Sequence, residues 1–514
     1  METIGDTLAH QARVQPDNFA LTVGDRMLTW RELDARANRA ANALLALGAK
    51  HGDRVLMLCG NSIEFVETWY GLAKIGCLSA PIMPRSVASE IAFIGNRLRA
   101  RFVVAEADSA PILRELGGQI GSIEATIGIG AGHGLTHDYE TLLADADASE
   151  PAVAVRPDDH LTTKFTSGTT GLPKGCVRSH RNFVMSAAMM LMEIPLREDD
   201  SSLIANPLAA GMAVWQLAIM VQKGVRIVMQ PRFEPAEYLA LITRHRPSLL
   251  YMMDTMMRRC FTLPQFSDTD LSCVRLYHGA ASSDVIDTLR GHPTWRGGFS
   301  FGYASSEAGG LVSFRKPEHY RMALEEPERW GHLIDTAGKE GPLTRIECLD
   351  DDLKPAPTGE IGELAISGPS VFKGYWEQPE ETAKVLRGGW LLTGDLAFKD
   401  KDGFLFIRGR KREMIKTGGV NVYPAEIEPV LASHPKIAEA AVIGVPDREW
   451  GEKVVACVVA KSPCTEAEVI DFCRDKLASF KRPKNVVFLP ELPMRAGKVV
   501  KRDLIKMLSE GAAR

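Results

Sequence analysis

Little in this chain of 514 residues suits an oxidising compartment, a membrane or nucleic acid. Its nine cysteines are odd in number and scattered, with no CxxC pair and no zinc-ligand spacing, so they read as reduced core or surface thiols. No stretch approaches eighteen consecutive apolar residues, which excludes a transmembrane helix, and the N-terminal METIGDTLAHQARVQP lacks a basic region followed by an apolar run. A cytoplasmic location is expected. Lys and Arg number 61 against 65 Asp and Glu, a net charge of −4, so there is no basic field for nucleic acid and any phosphate must be held locally. There is no internal repeat and no low-complexity tract.

What is there is length enough for two or more domains. Over the first half, β-rich runs alternate with helical patterns: RVLMLCG at 54–60, then SIEFVETWYGLAKIG with Ile63, Val66 and Tyr70 at helical spacing, then RFVVAE at 101–106. That alternation predicts parallel sheets covered by helices. Segment 331–408 changes character: GEIGELAISGPSV and GFLFIRGR read as short strands between Gly and Pro turns, a small antiparallel β unit. From about residue 413 a compact α+β module is expected, with strands at AEAAVIGVPD and EKVVACVVAK. A following helix carries a capping box at Thr465 and Glu468 and one apolar face of Val469, Phe472, Cys473 and Leu477.

The most informative stretch is Lys164-Phe-Thr-Ser-Gly-Thr-Thr-Gly-Leu-Pro-Lys-Gly175. Glycines let backbone turn tightly against a ligand, hydroxyls and N–H groups cradle phosphate oxygens, and a Lys supplies a point charge. GxxxxGK[ST] cannot be laid over it, so it is not a Walker A loop. Further along come Gly279-Ala-Ala281, Tyr303-Ala-Ser-Ser-Glu307, Thr393-Gly-Asp395, Gly409-Arg-Lys-Arg-Glu-Met-Ile-Lys416, Val422-Tyr-Pro-Ala-Glu-Ile-Glu428 and Gly497-Lys498. In order and spacing this set resembles the adenylate-forming superfamily of acyl-CoA synthetases, 4-coumarate:CoA ligases, luciferases and nonribosomal-peptide adenylation domains. The resemblance runs from TWRELDARANRAANAL at 29–44 to the last lysines.

The resemblance implies an α/β fold with a large N-terminal domain, 1–411, of two βαβ-type lobes and a small β-barrel, plus a mobile α+β C-terminal domain, 412–514. It implies ATP, Mg²⁺ and coenzyme A as cofactors, and a small carboxylic acid as substrate. Thr166, Ser167, Gly168, Thr169, Thr170 and Lys174 would hold the triphosphate, and Thr170 with Glu307 the metal, a hard cation that prefers such oxygens. Tyr303 would stack on adenine against a wall of Gly279, Ala280 and Ala281, with Gly302, Ala304 and Ser306 beside it. Asp395 would take both ribose hydroxyls, with Arg410 as its partner. Lys498 would lie between carboxylate and α-phosphate and neutralise the transition state. Arg412 stands at the hinge about which the C-terminal domain rotates, presenting Lys416, Gly418, Gly419 and Asn421 to a pantetheine thiol.

Departures bear on the acid. Tyr303-Ala304 replaces the usual Tyr-Gly, Ser306 replaces Thr, and Asn421 stands in for a Gln. Asn206-Pro-Leu-Ala-Ala-Gly211 lacks the aromatic-His pair of many relatives, so Ala209, Ala210 and Gly211 are expected to leave a gap beside the carboxylate. Leu249-Leu-Tyr-Met-Met-Asp-Thr-Met-Met257 matches the acyl-pocket region, where Met253 and its neighbours would give a soft wall. These features, with small Gly302, point to a hydrophobic or bulky acid. Asp254 and His278 point instead to a polar or cationic acyl group, as in carnitine-CoA ligases, which the chain also resembles. An adenylation enzyme loading a carrier protein and a non-catalytic nucleotide-binding protein are the alternative readings. The sequence leaves open the acid, the thiol acceptor and a homodimer.

Overall fold

A computed structural model describes residues 2–83, 86–166, 173–194, 196–495 and 498–511. The alternation read in the first half becomes strand Arg54–Leu58, helix Ile63–Lys74 and strand Phe102–Glu106. Ser62 caps the helix by accepting the Phe65 N–H at 3.2 Å. All twelve helix residues are buried, and its charged ones are paired there: Glu64 with Arg26, Glu67 with Arg36, and Lys74 with Asp34 and Glu150.

These elements feed an eight-stranded sheet, ordered Gly374–Tyr375, Lys174–Ser179, His160–Thr166, Leu78–Pro81, Arg54–Leu58, Phe102–Glu106, Ala125–Ile129, His137–Asp138. Its middle is parallel, and the edge that begins at His160–Thr166 is antiparallel. A seven-stranded sheet runs Gly298–Ser300, Leu276–His278, Leu249–Tyr251, Ser201–Ile204, Arg226–Met229, Phe19–Val23, Arg26–Thr29. One apolar core draws on both sheets, through Val55 and Met57 of the first and Ile204 and Met229 of the second, with Trp69 and Trp215 from helices between. Two sheets with helical layers match the two βαβ-type lobes expected.

The β unit of the middle segment is a five-stranded sheet of Arg345–Leu349, Gly362–Ser367, Trp390–Lys399, Leu386–Arg387 and Leu405–Arg410. Among the described residues it forms no closed barrel. Three strands pair with Trp390–Lys399, so two share one of its edges and the sheet branches there.

The chain divides into two compact units, Met1–Ile346 with Ile366–Leu391, and Glu347–Ala365 with Leu392–Arg514. In the second unit the long antiparallel pair Ile437–Asp447 and Gly451–Ala460 forms the spine, with Asn485–Phe488 parallel beside it. Ile427, Leu431, Val442 and Val454 pack in one cluster of this unit, Ile443, Val455, Leu492 and Leu504 in another. Thr465 and Glu468 form the expected capping box of helix Glu466–Phe472, whose Val469 and the following Cys473 are buried.

Candidate functional site

The phosphate-loop segment lies between strands His160–Thr166 and Lys174–Ser179, which pair with Thr166 opposite Lys174 and Lys164 opposite Cys176. Ser167, Gly168, Thr169 and Thr170 lie outside the described residues, as do the side chains of Thr166 and Lys498. Strand Gly374–Tyr375 adds to the same edge, with Tyr375 opposite Cys176. Directly paired residues share a sheet face, so Lys164, Cys176 and Tyr375 form one row.

That row brings two expected residues together through one that the motifs did not mark. The Tyr375 hydroxyl donates to Glu307 Oε1 at 3.0 Å, and its ring lies 5.1 Å from the Lys174 ammonium. Lys174 is 8% exposed and forms an ion pair with Glu381, whose second partner is Lys384. The hydrogen bond from Lys174, then that from Lys384, holds the Glu381 carboxyl down at about 2. Burial first, and then the charge of Glu307, pushes the Tyr375 phenol up, so it stays a protonated donor. Cys176 donates to the Ser306 carbonyl at 3.2 Å, and burial raises its thiol far out of the reactive range.

Strand Leu276–His278 ends at Gly279, where a Cβ would run into the Met252 carbonyl, so only backbone faces this point. Ala281 is buried and Ala280 half-buried. Gly302 is small for a similar reason: a Cβ would collide with the Ser313 carbonyl. Its smallness makes room for backbone. Tyr303, half-buried, donates its N–H to Ser313 Oγ at 3.0 Å and accepts from Val312 N at 3.0 Å, and Ala304 lies in a two-residue strand against Leu311.

The residues expected around the acyl group do not all converge. Met253 is 49% exposed at the start of helix Asp254–Phe261, whereas Met252 and Met257 are core residues. Both oxygens of Asp254 accept the Ser282 N–H at 3.2 Å, so that carboxylate serves the backbone at the start of helix Ser283–Gly291. His278 is buried, stacked on Tyr251 with centroids 5.7 Å apart, and lines a small cavity with Met190, Trp215, Gln216 and Ile219. Its Nδ1 has no hydrogen-bond partner among the described residues, and burial depresses it to about 4, which keeps it neutral at pH 7.

Beside Ala210 the structure places a side chain from another strand. Lys164 reaches in from the neighbouring strand and donates from Nζ to the Ala210 carbonyl. Gly211 stands at φ 89°, a conformation strained for any side chain, and a Cβ there would lie 2.9 Å from Lys164 Cδ.

In the second unit Asp395 stands opposite Arg410 across an antiparallel pair, and Arg410 Nε meets Asp395 Oδ1 at 2.8 Å. Asp395 is buried and Arg410 exposed. Thr393 Oγ accepts the Asp395 N–H at 3.1 Å and the Thr393 carbonyl accepts from Arg410 at 3.1 Å, so the motif locks its own carboxylate. Arg412 is exposed in the short turn Lys411–Glu413. Lys416 and Asn421 face each other across a hairpin closed by Gly418 and Gly419, at φ 56° and 78°, angles such a two-residue turn requires. Both side chains are exposed. Lys498 lies opposite Arg495 in a two-strand ribbon.

Residues 8–376 match the family described as AMP-binding enzyme and residues 426–498 the AMP-binding enzyme C-terminal domain. The long-chain-fatty-acid–CoA ligase FadD13 of Mycobacterium tuberculosis is 32% identical over 517 residues, covering 99% of each chain. The feruloyl-CoA synthase of an Amycolatopsis species is 33% identical over 507 residues, covering 98% of each. Among solved structures, the anthranilate CoA ligase AuaEII in complex with anthranoyl-AMP superposes with a TM-score of 0.89 at 27% identity, over 100% of this chain and 98% of that one.

Proposed function

Because this chain belongs to the AMP-binding enzyme family, we propose that it activates a hydrophobic carboxylic acid as its acyl-adenylate and passes the acyl group to coenzyme A. It is an AMP-forming acid–thiol ligase that uses ATP, magnesium and coenzyme A. The observation that carries the reading is the joining of Lys174 and Glu307 through Tyr375 at the strand ends flanking the phosphate loop.

A carboxylate is a poor acyl donor because its charge shields the carbonyl carbon and its leaving group would be oxide. Adenylation removes both faults, but it requires two anions to meet. Lys174 answers the phosphate charge, and Lys498 answers the charge that develops at the α-phosphate. Glu307 suits magnesium: a phenol fixes one carboxylate oxygen. No group of three His, Cys, Asp or Glu among the described residues could hold a metal alone. Thr170 and phosphate oxygens would complete the shell, as this cation favours. Tyr303 would stack on adenine, and Asp395 with Arg410 would hold the ribose. Arg412 is the hinge for the second half-reaction, in which the Gly418-Gly419 hairpin leaves room for a pantetheine arm. Among the described residues no helix is long and apolar enough to cross a membrane.

The test is a panel of acids, from acetate through medium and long fatty acids, aryl and polycyclic acids, carnitine and amino acids, scored by pyrophosphate release. Medium, long or polycyclic acids should lead, and acyl-CoA should form only when coenzyme A is added. Release of ADP and orthophosphate instead would end the adenylation reading, and dependence on a carrier protein in place of coenzyme A would change the acceptor.

A further inference from the structure

We infer that Lys164 is the cation that receives the substrate's carboxylate, a reading that rests on the proposed acid activation and specifies how the acid is held. Two observations meet here. The loop Leu208–Gly211 presents nothing larger than a methyl group at Ala209, Ala210 and Gly211. Into that space comes one long side chain from another strand, whose ammonium donates to the Ala210 carbonyl.

The position is one a catalyst has reason to fill with charge. Lys164 lies two residues before Thr166, where the phosphate loop begins. It shares its row with Cys176 and Tyr375, and Tyr375 hydrogen-bonds Glu307. The row thus carries an ammonium on one strand and, two strands away, the phenol that fixes the expected metal-binding carboxylate. A half-buried ammonium in a sheet costs desolvation, and packing alone would favour an apolar residue there. A carboxylate is a stronger acceptor than a neutral carbonyl, so an incoming acid can compete with Ala210 for the ammonium. Gly211 leaves the Lys164 stem its place, since a Cβ there would lie 2.9 Å from Lys164 Cδ.

The assignment makes recognition anionic at the reacting end and leaves the rest of the acid to apolar contacts. Lys164 then supplies, from the phosphate-loop strand, a positive charge for the meeting of two anions.

The test compares wild type with Lys164→Met and Lys164→Arg, using decanoate and its primary amide as probes in calorimetric binding with ATP withheld, alongside steady-state kinetics. Wild type should prefer decanoate to decanamide at least tenfold, Lys164→Met should abolish that preference, and Lys164→Arg should keep part of it. In turnover, KM for the acid should rise tenfold or more in Lys164→Met, with KM for ATP within twofold and the thermal midpoint unchanged. Equal binding of acid and amide by wild type, or a parallel loss of acid affinity, ATP affinity and thermal midpoint in the variant, would overturn the assignment and leave Lys164 as a strut for the loop. The binding arm needs no turnover. A wild type that distinguishes acid from amide yet releases no pyrophosphate with any acid would sink the ligase reading and leave the anion site standing.

Discussion

Tyr375 touches both halves of the phosphate chemistry: its hydroxyl donates to Glu307 at 3.0 Å while its ring faces the Lys174 ammonium at 5.1 Å. The two contacts use different parts of one side chain, so substitution separates them.

Tyr375→Phe keeps the ring against Lys174 and removes the hydrogen bond to Glu307. A partner that orients a metal-binding carboxylate is typically worth about tenfold or more in metal affinity. The expected result is an apparent magnesium constant raised about tenfold, with kcat recovered at saturating magnesium and KM for ATP little changed there. A kcat deficit that magnesium does not repair would show that the hydroxyl only supports packing.

Glu381 pairs with Lys174, and a triphosphate must compete with it for that ammonium. Glu381→Gln keeps the shape and removes the competitor. Glu381 is partly exposed, which screens its pairing with the buried Lys174, so the change should tighten ATP, and inhibition by pyrophosphate, by about two- to fivefold. The folded carboxyl is depressed to about 2, so its contribution is present above the ordinary carboxylate range and is lost only as pH falls through about 2. The effect of the substitution should therefore be constant from pH 6 to 9, and a steep pH dependence would point to another group.

Much of this was legible in the sequence because it is local. Strand Arg54–Leu58, helix Ile63–Lys74 and strand Phe102–Glu106 follow from their periodicity, and Lys174, Glu307, Asp395 and Arg410 from motifs that carry their own neighbours. Tyr375 and Glu381 were not legible. They reach Lys174 only because Gly374–Tyr375 adds to a sheet edge whose strands lie far away in the chain, and no local pattern encodes that pairing. Ala209 and Ala210 announced missing side chains, but not that Lys164 from an adjacent element would take their place. The methionine run misled for a related reason. Strand Leu249–Tyr251 gives way to helix Asp254–Phe261, which sends Met252 and Met257 into the core and Met253 outward.

Three buried histidines should make the fold acid-sensitive. Burial lowers His180, His278 and His319 to about 4. A depressed imidazole favours the neutral form when folded, so its contribution is complete above the unfolded value of about 6.5 and is lost as pH falls toward 4. For fully buried His278 the loss between pH 7 and pH 5 is on the order of 2 kcal/mol. His278→Gln should shrink the pH 7 to pH 5 drop in unfolding free energy by about that amount in urea titrations. An unchanged drop would mean that the imidazole titrates normally.

Lys498 and Arg412 separate the two half-reactions. Lys498 pairs with Arg495 in the ribbon of Met494–Arg495 and Lys498–Val499, at the end of the C-terminal match, and its proposed work is confined to the first step. Lys498→Ala should cut pyrophosphate release by about 10² to 10³, the usual cost of one preorganised transition-state donor. It should spare thioester formation from a supplied acyl-adenylate, because the lysine has no partner role once pyrophosphate has left. Arg412 makes the complementary case, exposed in the turn Lys411–Glu413 where backbone rotation meets little packing. Arg412→Pro restricts that turn, so adenylation should continue while transfer to coenzyme A falls. Both variants belong in one experiment, with pyrophosphate release and thioester formation measured separately. Opposite patterns would support two working conformations of one chain, whereas equal losses in both steps for either variant would contradict a hinge at Arg412 and a first-step role for Lys498.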